Sequence, residues 1–254
     1  MMNFLLDLDG TLYSGDRVLP HAPEFIEYLK AKGYGYIALT NCPSKTQKQV
    51  SNKLVNMGID ISPEQVLTSG MATAKVLNNN FSISSAYVLG TAPLKMELEK
   101  QGIVIREQSV KAVVIGYDTG LTYDSLTLAA HLARMGAMLF ATNIDNSIPH
   151  GGRRIPHTGA MAKAVEFAAE KECIYIGKPQ TYMFDIAHAM LRGDKSSYVM
   201  VGDRLDTDIL FAKNCGIKSC WVYGEGPKPQ DIPQELIPDV IASNLSEVLT
   251  NAIL

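Results

Sequence analysis

The sequence predicts an α/β fold built on a doubly wound, mostly parallel β-sheet. Short apolar runs alternate with longer amphipathic runs along the 254 residues, as is typical of strands that alternate with helices. Hydrophobic residues make up 46% of the chain and charged residues 19%, which is the composition of a globular protein. This length suffices for one large domain or for two smaller ones. A polar stretch at 78–82 resembles a linker, after which the alternation starts again.

The first third of the chain predicts three strands and three helices. An apolar strand at 4–8 is followed by a helix at 22–32, which has a proline near its start and Gly33 directly after its end. A second helix, at 44–57, is predicted to be capped by Ser44 and to stop at Gly58. The remaining elements predicted here are strands at 36–39 and 66–68 and a helix at 71–77.

The rest of the chain repeats this alternation of strands and helices. One long irregular loop interrupts it, at 142–157, and loops of this length in a compact domain are usually functional or mobile. The predicted strands are 87–89, 113–115, 138–141, 174–176, 198–201 and 219–222, and the predicted helices are 94–101, 123–135, 160–170, 183–191 and 209–214, with a last helix from Ser246.

Charge and cysteine content limit the classes of protein. The formal net charge of −3 argues against nucleic acid or an anionic membrane surface as the main partner. The sequence has no run of about 20 apolar residues, so no transmembrane helix is predicted. Its first residues also lack the basic start of a signal peptide. The cysteines Cys42, Cys173, Cys215 and Cys220 form no CxxC pair and have no histidine at zinc-finger spacing, which favours reduced thiols in a cytoplasmic protein.

Two aspartates follow the first predicted strand in the motif DLDGT, which starts at Asp7. Because side chains alternate along a strand, Asp7 and Asp9 point the same way. Their mutual repulsion is relieved by a cation between them or by a proton on one of them. Gly10 permits a sharp turn directly after them. The carboxyl end of a strand is where open α/β sheets bind ligands, so the motif favours a functional site over two solvated loop aspartates.

Two further strand ends carry groups that suit an anion. Thr40 and Asn41 directly follow the predicted strand 36–39, where a hydroxyl and an amide can hold a phosphate oxygen or cap the next helix. Lys178 follows the strand 174–176. It can neutralise a phosphate or a nucleophilic carboxylate, although a lysine at this place can also be an ordinary surface residue.

A second acidic motif, GDRLDTD at 202–208, follows the strand 198–201. Asp203 lies at its tip and can ligate a hard cation through oxygen. Asp208 stands five residues further on, at the start of a predicted helix. It can orient metal-bound water or the lysine, or it can simply favour the positive end of the helix dipole. Asp206 is predicted to face solvent.

Together and in this order, the motifs DLDGT, LTN, GKP and GDRLDTD resemble those of the haloacid dehalogenase-like hydrolase superfamily. The insertion between the second and third motifs contains GTAPLKMELEKQGI and VVIGYDTGLTYDSLTLA, and it resembles the C2-type cap of the NagD-like phosphatases. The resemblance implies a Rossmann-like catalytic core at 1–80 and 177–254. It also implies an inserted α/β cap domain at 81–176.

The resemblance also implies a role for each motif residue. Asp7 is the nucleophile that forms an aspartyl-phosphate, and Asp9 is the general acid that protonates the leaving oxygen and then the base that activates water. Mg²⁺ is bound by Asp7, by the backbone carbonyl of Asp9 and by Asp203. The residues that hold the phosphoryl group are Thr40, Asn41 and Lys178. Asp208 contacts these site residues rather than the substrate.

The long loop at 142–157 is rich in polar and basic side chains. Arg153, Arg154 and His157 either read the part of a substrate beyond its phosphate or form a solvated basic surface. Asn143 adds a donor and an acceptor to the same loop.

The sequence also departs from the NagD-like pattern at Cys42, which is either a reactive thiol near an anion site or a small packed residue.

The implied function is Mg²⁺-dependent hydrolysis of a small phosphomonoester metabolite, such as a nucleoside monophosphate or a sugar phosphate. The implied partner is this ester rather than nucleic acid or a membrane, and the cap offers a surface for a homodimer. A phospho-accepting signalling receiver uses similar residues on a doubly wound sheet, but receivers are much shorter and have no inserted cap. A non-catalytic regulatory protein is a further alternative, against which the intact acidic motifs argue.

Overall fold

The structure is a computed structural model that describes residues 2–224 and 231–250. The described residues form two compact units. The first unit comprises 2–40, 47–67, 178–224 and 231–250, and the second comprises 41–46 and 68–177. Most of the second unit therefore lies, in sequence, between two parts of the first. The limits of 81–176 for a cap domain stay a prediction.

Strands and helices alternate along most of the described chain. None of the described helices has the length and apolarity needed to span a bilayer. The strands are β1 (Asn3–Asp7), β2 (Tyr13–Ser14), β3 (Arg17–Val18), β4 (Gly35–Thr40), β5 (Val66–Thr68), β6 (Ser85–Leu89), β7 (Val104–Ile105), β8 (Ala112–Ile115), β9 (Met138–Ala141), β10 (Ser147–His150), β11 (Arg153–Pro156), β12 (Cys173–Tyr175), β13 (Tyr198–Gly202), β14 (Lys218–Val222) and β15 (Val240–Ala242). The α-helices are α1 (Ala22–Ala31), α2 (Gln47–Asn56), α3 (Ser69–Phe81), α4 (Ala92–Lys100), α5 (Tyr123–Arg134), α6 (Thr158–Ala169), α7 (Tyr182–Leu191), α8 (Leu210–Cys215) and α9 (Leu245–Thr250).

The first unit contains a six-stranded sheet in the order β15-β14-β13-β1-β4-β5. Strand β1 pairs in parallel with both of its neighbours, so that Leu6 lies opposite Val201 of β13 and Asp7 lies opposite Leu39 of β4. The order of the strands reverses at β1. The carboxyl end of β1 is therefore the topological switch point, where doubly wound sheets bind ligands. The fold class predicted from the sequence is confirmed.

Helices cover both faces of the six-stranded sheet. On one face, Phe4 of β1 belongs to a buried apolar cluster with Phe25 of α1 and Leu54 of α2. On the other face, Phe184 of α7 packs edge-on against Tyr198 of β13, with ring centroids 5.3 Å apart. Because both faces are buried, β1 and β4 read as continuous apolar runs rather than as alternating apolar and polar residues.

The second unit contains a five-stranded parallel sheet in the order β12-β9-β8-β6-β7. Helices α5 and α6 cover one face, where small residues such as Ala129 and Ala162 pack with Ile115 of β8. The alanines let these helices approach the sheet closely. On the other face, Phe81 of α3 lies edge-on to Phe140 of β9, with ring centroids 5.0 Å apart.

Two helix boundaries differ from the prediction by three residues or more. Helix α2 begins at Gln47, three residues after Ser44, so the prediction that Ser44 caps it is wrong. The polar stretch at 78–82 is not a linker, because α3 continues through Phe81 and ends at Ser82 in the left-handed conformation, with φ 51°. The asparagines at 78–80 occupy exposed positions of the last turn, and an exposed helical turn has the same composition as a linker.

The loop predicted at 142–157 is wrong in its central part, which forms a β-hairpin. Strands β10 and β11 pair antiparallel, with Ile148 opposite Ile155. The two-residue turn between them is Gly151 and Gly152, both at positive φ (54° and 77°). Positive φ at both positions is the requirement of the tight hairpin turns that favour glycine. A Gly-Gly pair between two short runs is therefore the local signal that could have predicted this hairpin.

No disulfide joins the four cysteines, all of which lie in the described part of the chain. Burial raises the pKa of Cys215 and of Cys220 to about 12. These two thiols therefore stay protonated at neutral pH and pack as small apolar side chains. Cys42 lies in the second unit, with its Sγ 3.4 Å from Ser44 Oγ.

Candidate active site

One residue from each of the four predicted motifs lies at the carboxyl edge of the six-stranded sheet in the first unit: Asp7, Thr40, Lys178 and Asp203. Asp7 is the last residue of β1, and because it pairs with Leu39, Thr40 stands directly beyond it on the neighbouring strand. On the other side, Asp203 follows Gly202, the last residue of β13. Three chain segments that are far apart in sequence thus end side by side at the switch point.

Lys178 lies at the centre of this edge. Its side chain is 2% exposed, and its Nζ donates to Asp7 Oδ1 at 2.5 Å and to Asp208 Oδ1 at 2.6 Å. Burial disfavours the ammonium, but the charges of Asp208 and Asp7 outweigh this effect and raise the pKa of Lys178 above its usual range. The lysine is therefore a protonated bridge between two carboxylates and not an ordinary surface residue.

Three carboxylates cluster beside the lysine. Asp7, Asp203 and Asp208 each contribute an oxygen that lies within 4.8 Å of the other two. Asp203 Oδ1 is buried and has no hydrogen-bond partner among the described residues. Burial, and then the charges of Asp7 and Asp208, raises the pKa of Asp203 to about 8. A divalent cation with oxygen ligands removes both the repulsion and the unpaired acceptor, so these residues fit such an ion.

A π-helical turn at Leu205–Ile209 holds Asp208 in place. The backbone N–H of Arg204 donates to Asp208 Oδ2 at 3.2 Å. A Cβ at Gly202 would overlap the Asp208 carboxylate, so a larger residue does not fit there. π-Helical turns occur preferentially at functional sites. Asp206, in the same turn, is exposed, as the sequence predicted, and it pairs with Arg204.

Three neighbouring residues support the aspartates. Gly10 has φ 101°, and a Cβ there would overlap the Asp203 carboxylate. Glycine is therefore required here for the space it leaves to Asp203 as well as for the sharp turn expected from the sequence. Thr11 Oγ1 donates to Asp7 Oδ2 at 3.4 Å. Trp221 Nε1 donates to the carbonyl oxygen of Asp203 at 2.7 Å. Sequence reasoning missed Trp221, because only the pairing of β14 with β13 brings it to the motif.

Asp9 is held by a different part of the first unit. It lies outside the cluster of three carboxylates, its side chain is exposed, and its Oδ1 accepts a hydrogen bond from the N–H of Gly15 at 3.4 Å. Gly15 lies in the turn of a hairpin formed by β2 and β3. The two aspartates of one motif thus have different surroundings: Asp7 contacts the lysine, whereas the Asp9 carboxylate faces solvent.

Five of the predicted site residues belong to the second unit, and three of them, Asn41, Asn143 and His157, share one hydrogen-bond network. Asn143 Nδ2 donates to the carbonyl oxygen of Asn41 at 2.8 Å, and Asn41 Nδ2 donates to Asp145 Oδ2 at 3.0 Å. His157 Nδ1 lies 3.2 Å from Asn143 Oδ1, and its ring stacks on Tyr117 with centroids 4.8 Å apart. Burial lowers the pKa of His157, so it is a packed, neutral residue rather than part of a solvated basic loop.

The two arginines predicted to read substrate are exposed on the β10–β11 hairpin. Arg153 lies opposite His150 in the ladder. Arg154 Nε donates to Ser147 Oγ at 2.9 Å, and its Nη2 donates to the Ser147 carbonyl oxygen at the same distance. These bonds connect the two strands of the hairpin. A contact of either arginine with a substrate stays a prediction.

Comparison with known proteins identifies the family. A family model described as haloacid dehalogenase-like hydrolase matches residues 4–104, and a second, described as HAD-hydrolase-like, matches residues 175–248. An acid sugar phosphatase of Staphylococcus aureus is 37% identical over 236 residues, which cover 92% of this chain and 91% of that protein. The chain belongs to the haloacid dehalogenase-like hydrolases.

Solved structures of this hydrolase family agree in fold and chain length. A 4-nitrophenylphosphatase from Thermotoga maritima is 34% identical with a TM-score of 0.89, covering 99% of this chain and 97% of its own. NagD from Escherichia coli K-12 is 29% identical with a TM-score of 0.90, covering 100% of this chain and 99% of its own. The resemblance to NagD-like phosphatases is confirmed. These matches favour a phosphoric monoester hydrolase over a signalling receiver or a non-catalytic protein.

We expect Lys178→Met to destabilise the first unit of this hydrolase by about 3–5 kcal/mol, because it leaves the buried carboxylate of Asp208 and the largely buried carboxylate of Asp7 without their ammonium. Urea unfolding measures this change through the fluorescence of Trp221, the single tryptophan, which is buried in the same unit. Lys218→Met, at an exposed lysine of β14, is the matched control and should change the stability by less than about 0.5 kcal/mol. Equal unfolding midpoints for the two variants would contradict a structural role for the buried ammonium.

Proposed function

We propose that this phosphatase hydrolyses small phosphomonoesters in a Mg²⁺-dependent reaction that passes through an aspartyl-phosphate on Asp7. The observation that carries the proposal is the ammonium of Lys178, 2.5 Å from Asp7 Oδ1, inside a cluster of three carboxylates. Phosphoryl transfer depends mainly on positioning and on charge stabilisation. The lysine balances negative charge that would otherwise repel an anionic phosphate from the Asp7 carboxylate.

Asp7 and Asp9 divide the proposed chemistry between them. In the first step an Asp7 oxygen attacks phosphorus, the bond from phosphorus to the ester oxygen breaks, and Asp9 in its acid form protonates the departing oxygen. In the second step water attacks the phosphorus of the aspartyl-phosphate and gives a proton to the Asp9 carboxylate. The bond to Asp7 then breaks and inorganic phosphate leaves. The exposure of Asp9 supports this division, because its carboxyl group has to meet both an ester oxygen and water.

The proposed Mg²⁺ ligands are Asp7, Asp203 and the backbone carbonyl of Asp9. When bound, the ion supplies positive charge that stabilises the phosphoryl group in the transition state. The donor set supports this ion, because the cluster in the described residues consists of carboxylates without thiol or imidazole. The unpartnered Asp203 Oδ1 supports it as well. Asp208 is proposed to hold Lys178 rather than the ion, since its Oδ1 already accepts from the lysine.

The proposed phosphoryl-binding residues are Thr40, Asn41 and Lys178. Thr40 is buried at the end of β4, beside the strand that carries Asp7. Asn41 follows it directly in the chain, and its side chain is oriented by Asp145. A hydroxyl, an amide and an ammonium offer the hydrogen-bond donors that a phosphoryl group accepts.

Substrate choice is proposed to depend on the cap, residues 81–176. Groups that bind only a phosphoryl group cannot distinguish one phosphomonoester from another. The names of the relatives, acid sugar phosphatase and 4-nitrophenylphosphatase, support sugar phosphates rather than nucleoside monophosphates as substrates, with aryl phosphates as artificial ones. Arg153 and Arg154 are the proposed contacts to the sugar, because they are exposed, whereas Asn143 and His157 are proposed to shape the site from within the packed network.

The proposed setting is the cytoplasm, which the absence of a disulfide among the four cysteines supports. A homodimer through the cap is also proposed. Tyr123 and Phe167 support it, because these large side chains are 85% and 89% exposed on the two helices that cover one face of the five-stranded sheet.

We expect the protein to release inorganic phosphate from sugar phosphates and from 4-nitrophenyl phosphate in the presence of Mg²⁺. Chelation should stop the reaction, because it leaves the charges of Asp7 and Asp203 without a counter-ion. The measurement is phosphate release from a panel of esters that includes nucleoside monophosphates, with restored Mg²⁺ as the control. Undiminished hydrolysis after exhaustive chelation would contradict the metal dependence, and a panel without any substrate would contradict the proposed activity.

We expect Asp7→Asn to abolish turnover, because an amide is a poor nucleophile. Asp9→Asn should lower kcat by about 10²–10⁴-fold, which is the usual contribution of proton transfer. The matched control is Asp206→Asn, at the exposed aspartate of the acidic motif, which should keep its activity. Steady-state kinetics on 4-nitrophenyl phosphate tests all three variants. The role assignments fail if Asp7→Asn retains the wild-type kcat.

A further inference from the structure

Helix α2 is connected to Asp9 through the β2–β3 hairpin. The hairpin pairs Tyr13 with Val18 and turns at Gly15 and Asp16, with Gly15 at φ 61°. Both backbone polar groups of Gly15 form hydrogen bonds. Its N–H donates to Asp9 Oδ1 at 3.4 Å, and its carbonyl oxygen accepts from the Nζ of Lys53 in α2 at 2.8 Å. One residue thus contacts the acidic motif on one side and a lysine on the other.

Lys53 contacts the hairpin at more than this one point. Its Nζ also lies over the ring of Tyr13, 4.0 Å from the centroid, and 4.0 Å from Asp16 Oδ1. The residues Val50 and Leu54 on the same helix are buried in the apolar core of the first unit. Lys53 therefore extends from a helix that is anchored in the core, and its ammonium contacts the first strand of the hairpin and its turn. The contact with Tyr13 is a cation–π interaction.

A hairpin with two residues in each strand is not stable by itself, so it needs external contacts. At its base, Gly10 N–H donates to the carbonyl oxygen of Tyr13 at 2.7 Å. At its turn, the 3.4 Å bond from Gly15 to Asp9 is long for a hydrogen bond and does not fix the turn by itself. The shorter, charge-assisted bond from Lys53 is the stronger of the two contacts that Gly15 makes.

We propose that Lys53 is a positioning residue for Asp9, acting through the backbone of Gly15. The proposal rests on the proposed function, in which Asp9 donates a proton to the leaving oxygen. In a protonated carboxyl group the carbonyl oxygen is the better acceptor. In the acid form of Asp9, the carbonyl oxygen is therefore Oδ1, which accepts from the N–H of Gly15. The other oxygen then carries the proton. By holding Gly15 in place, Lys53 sets both the orientation of an exposed carboxyl group and which of its oxygens delivers the proton.

A positioning role for the acid predicts a dependence on the leaving group. Protonation matters most when the departing oxygen is strongly basic. Phenyl phosphate and 4-nitrophenyl phosphate are similar in size, but phenolate is the more basic leaving group. Loss of Lys53 should therefore lower kcat/KM, which reports the step that releases the phenol, more for phenyl phosphate. A general loss of folded protein or of bound metal would lower kcat/KM for both esters by the same factor.

The test compares Lys53→Met, Lys53→Arg and the wild type on both esters at saturating Mg²⁺. In Lys53→Met we expect kcat/KM to fall about 10-fold for phenyl phosphate and less than about 3-fold for 4-nitrophenyl phosphate, part of the full contribution of an acid. Lys53→Arg should restore the wild-type ratio, because a guanidinium also donates to a carbonyl and stacks on tyrosine. Lys48→Met, at an exposed lysine of the same helix, is the matched control and should leave both values unchanged.

Equal losses for the two esters in Lys53→Met, or no loss for either, would overturn the proposal. Failure of the proposed function has a different signature. A wild-type enzyme that hydrolyses neither ester, or an Asp9→Asn variant that loses kcat/KM equally for both, would show that Asp9 is not the acid. The urea unfolding midpoint of Lys53→Met, followed through Trp221, separates either result from a loss of folded protein.

Discussion

A buried ammonium between two carboxylates is the interaction on which the site depends. Lys178 Nζ lies 2.5 Å from Asp7 and 2.6 Å from Asp208, and a buried charge without a partner costs several kcal/mol. The ammonium is therefore stable in this place because both carboxylates are present, and each carboxylate is stable because the ammonium is present. Strand β1 supplies Asp7, the π-helical turn supplies Asp208, and the chain supplies the lysine directly after the last residue of the second unit. The glycine at 202 is a consequence, because any side chain there would displace Asp208.

The same arrangement leaves an excess of negative charge. When Asp7, Asp203 and Asp208 are all ionised, one ammonium leaves two negative charges uncompensated, which is the charge that a divalent cation neutralises. Asp203 bears most of this imbalance: its pKa is raised to about 8 and its Oδ1 has no partner among the described residues. Lys178 thus holds Asp7 and Asp208 in place. The carboxylate oxygens whose charge it does not compensate suit a cation that can bind and dissociate.

The sequence could place several of these residues side by side because they follow apolar runs. In a parallel sheet the ends of such runs align, so Asp7, Thr40 and Asp203 could be placed at one edge before any contact was known. The hydrogen bond from Asn41 to Asp145 spans 104 positions in the chain, and no local pattern reports which side chains meet at that distance. The two-residue strands β2 and β3 are too short to show periodicity, so the hairpin beside Asp9 was also missed.

The proposed mechanism requires that Asp7 itself carries the phosphoryl group during turnover. The most direct measurement uses Asp9→Asn, in which a good leaving group still departs but the base of the second step is missing. This variant is mixed with 4-nitrophenyl phosphate and Mg²⁺, quenched in acid and analysed by mass spectrometry. If Asp7 is the nucleophile, we expect one phosphoryl group per chain, on the peptide that contains Asp7. Release of 4-nitrophenol without a phosphorylated chain, or a phosphoryl group on a different residue, would contradict it.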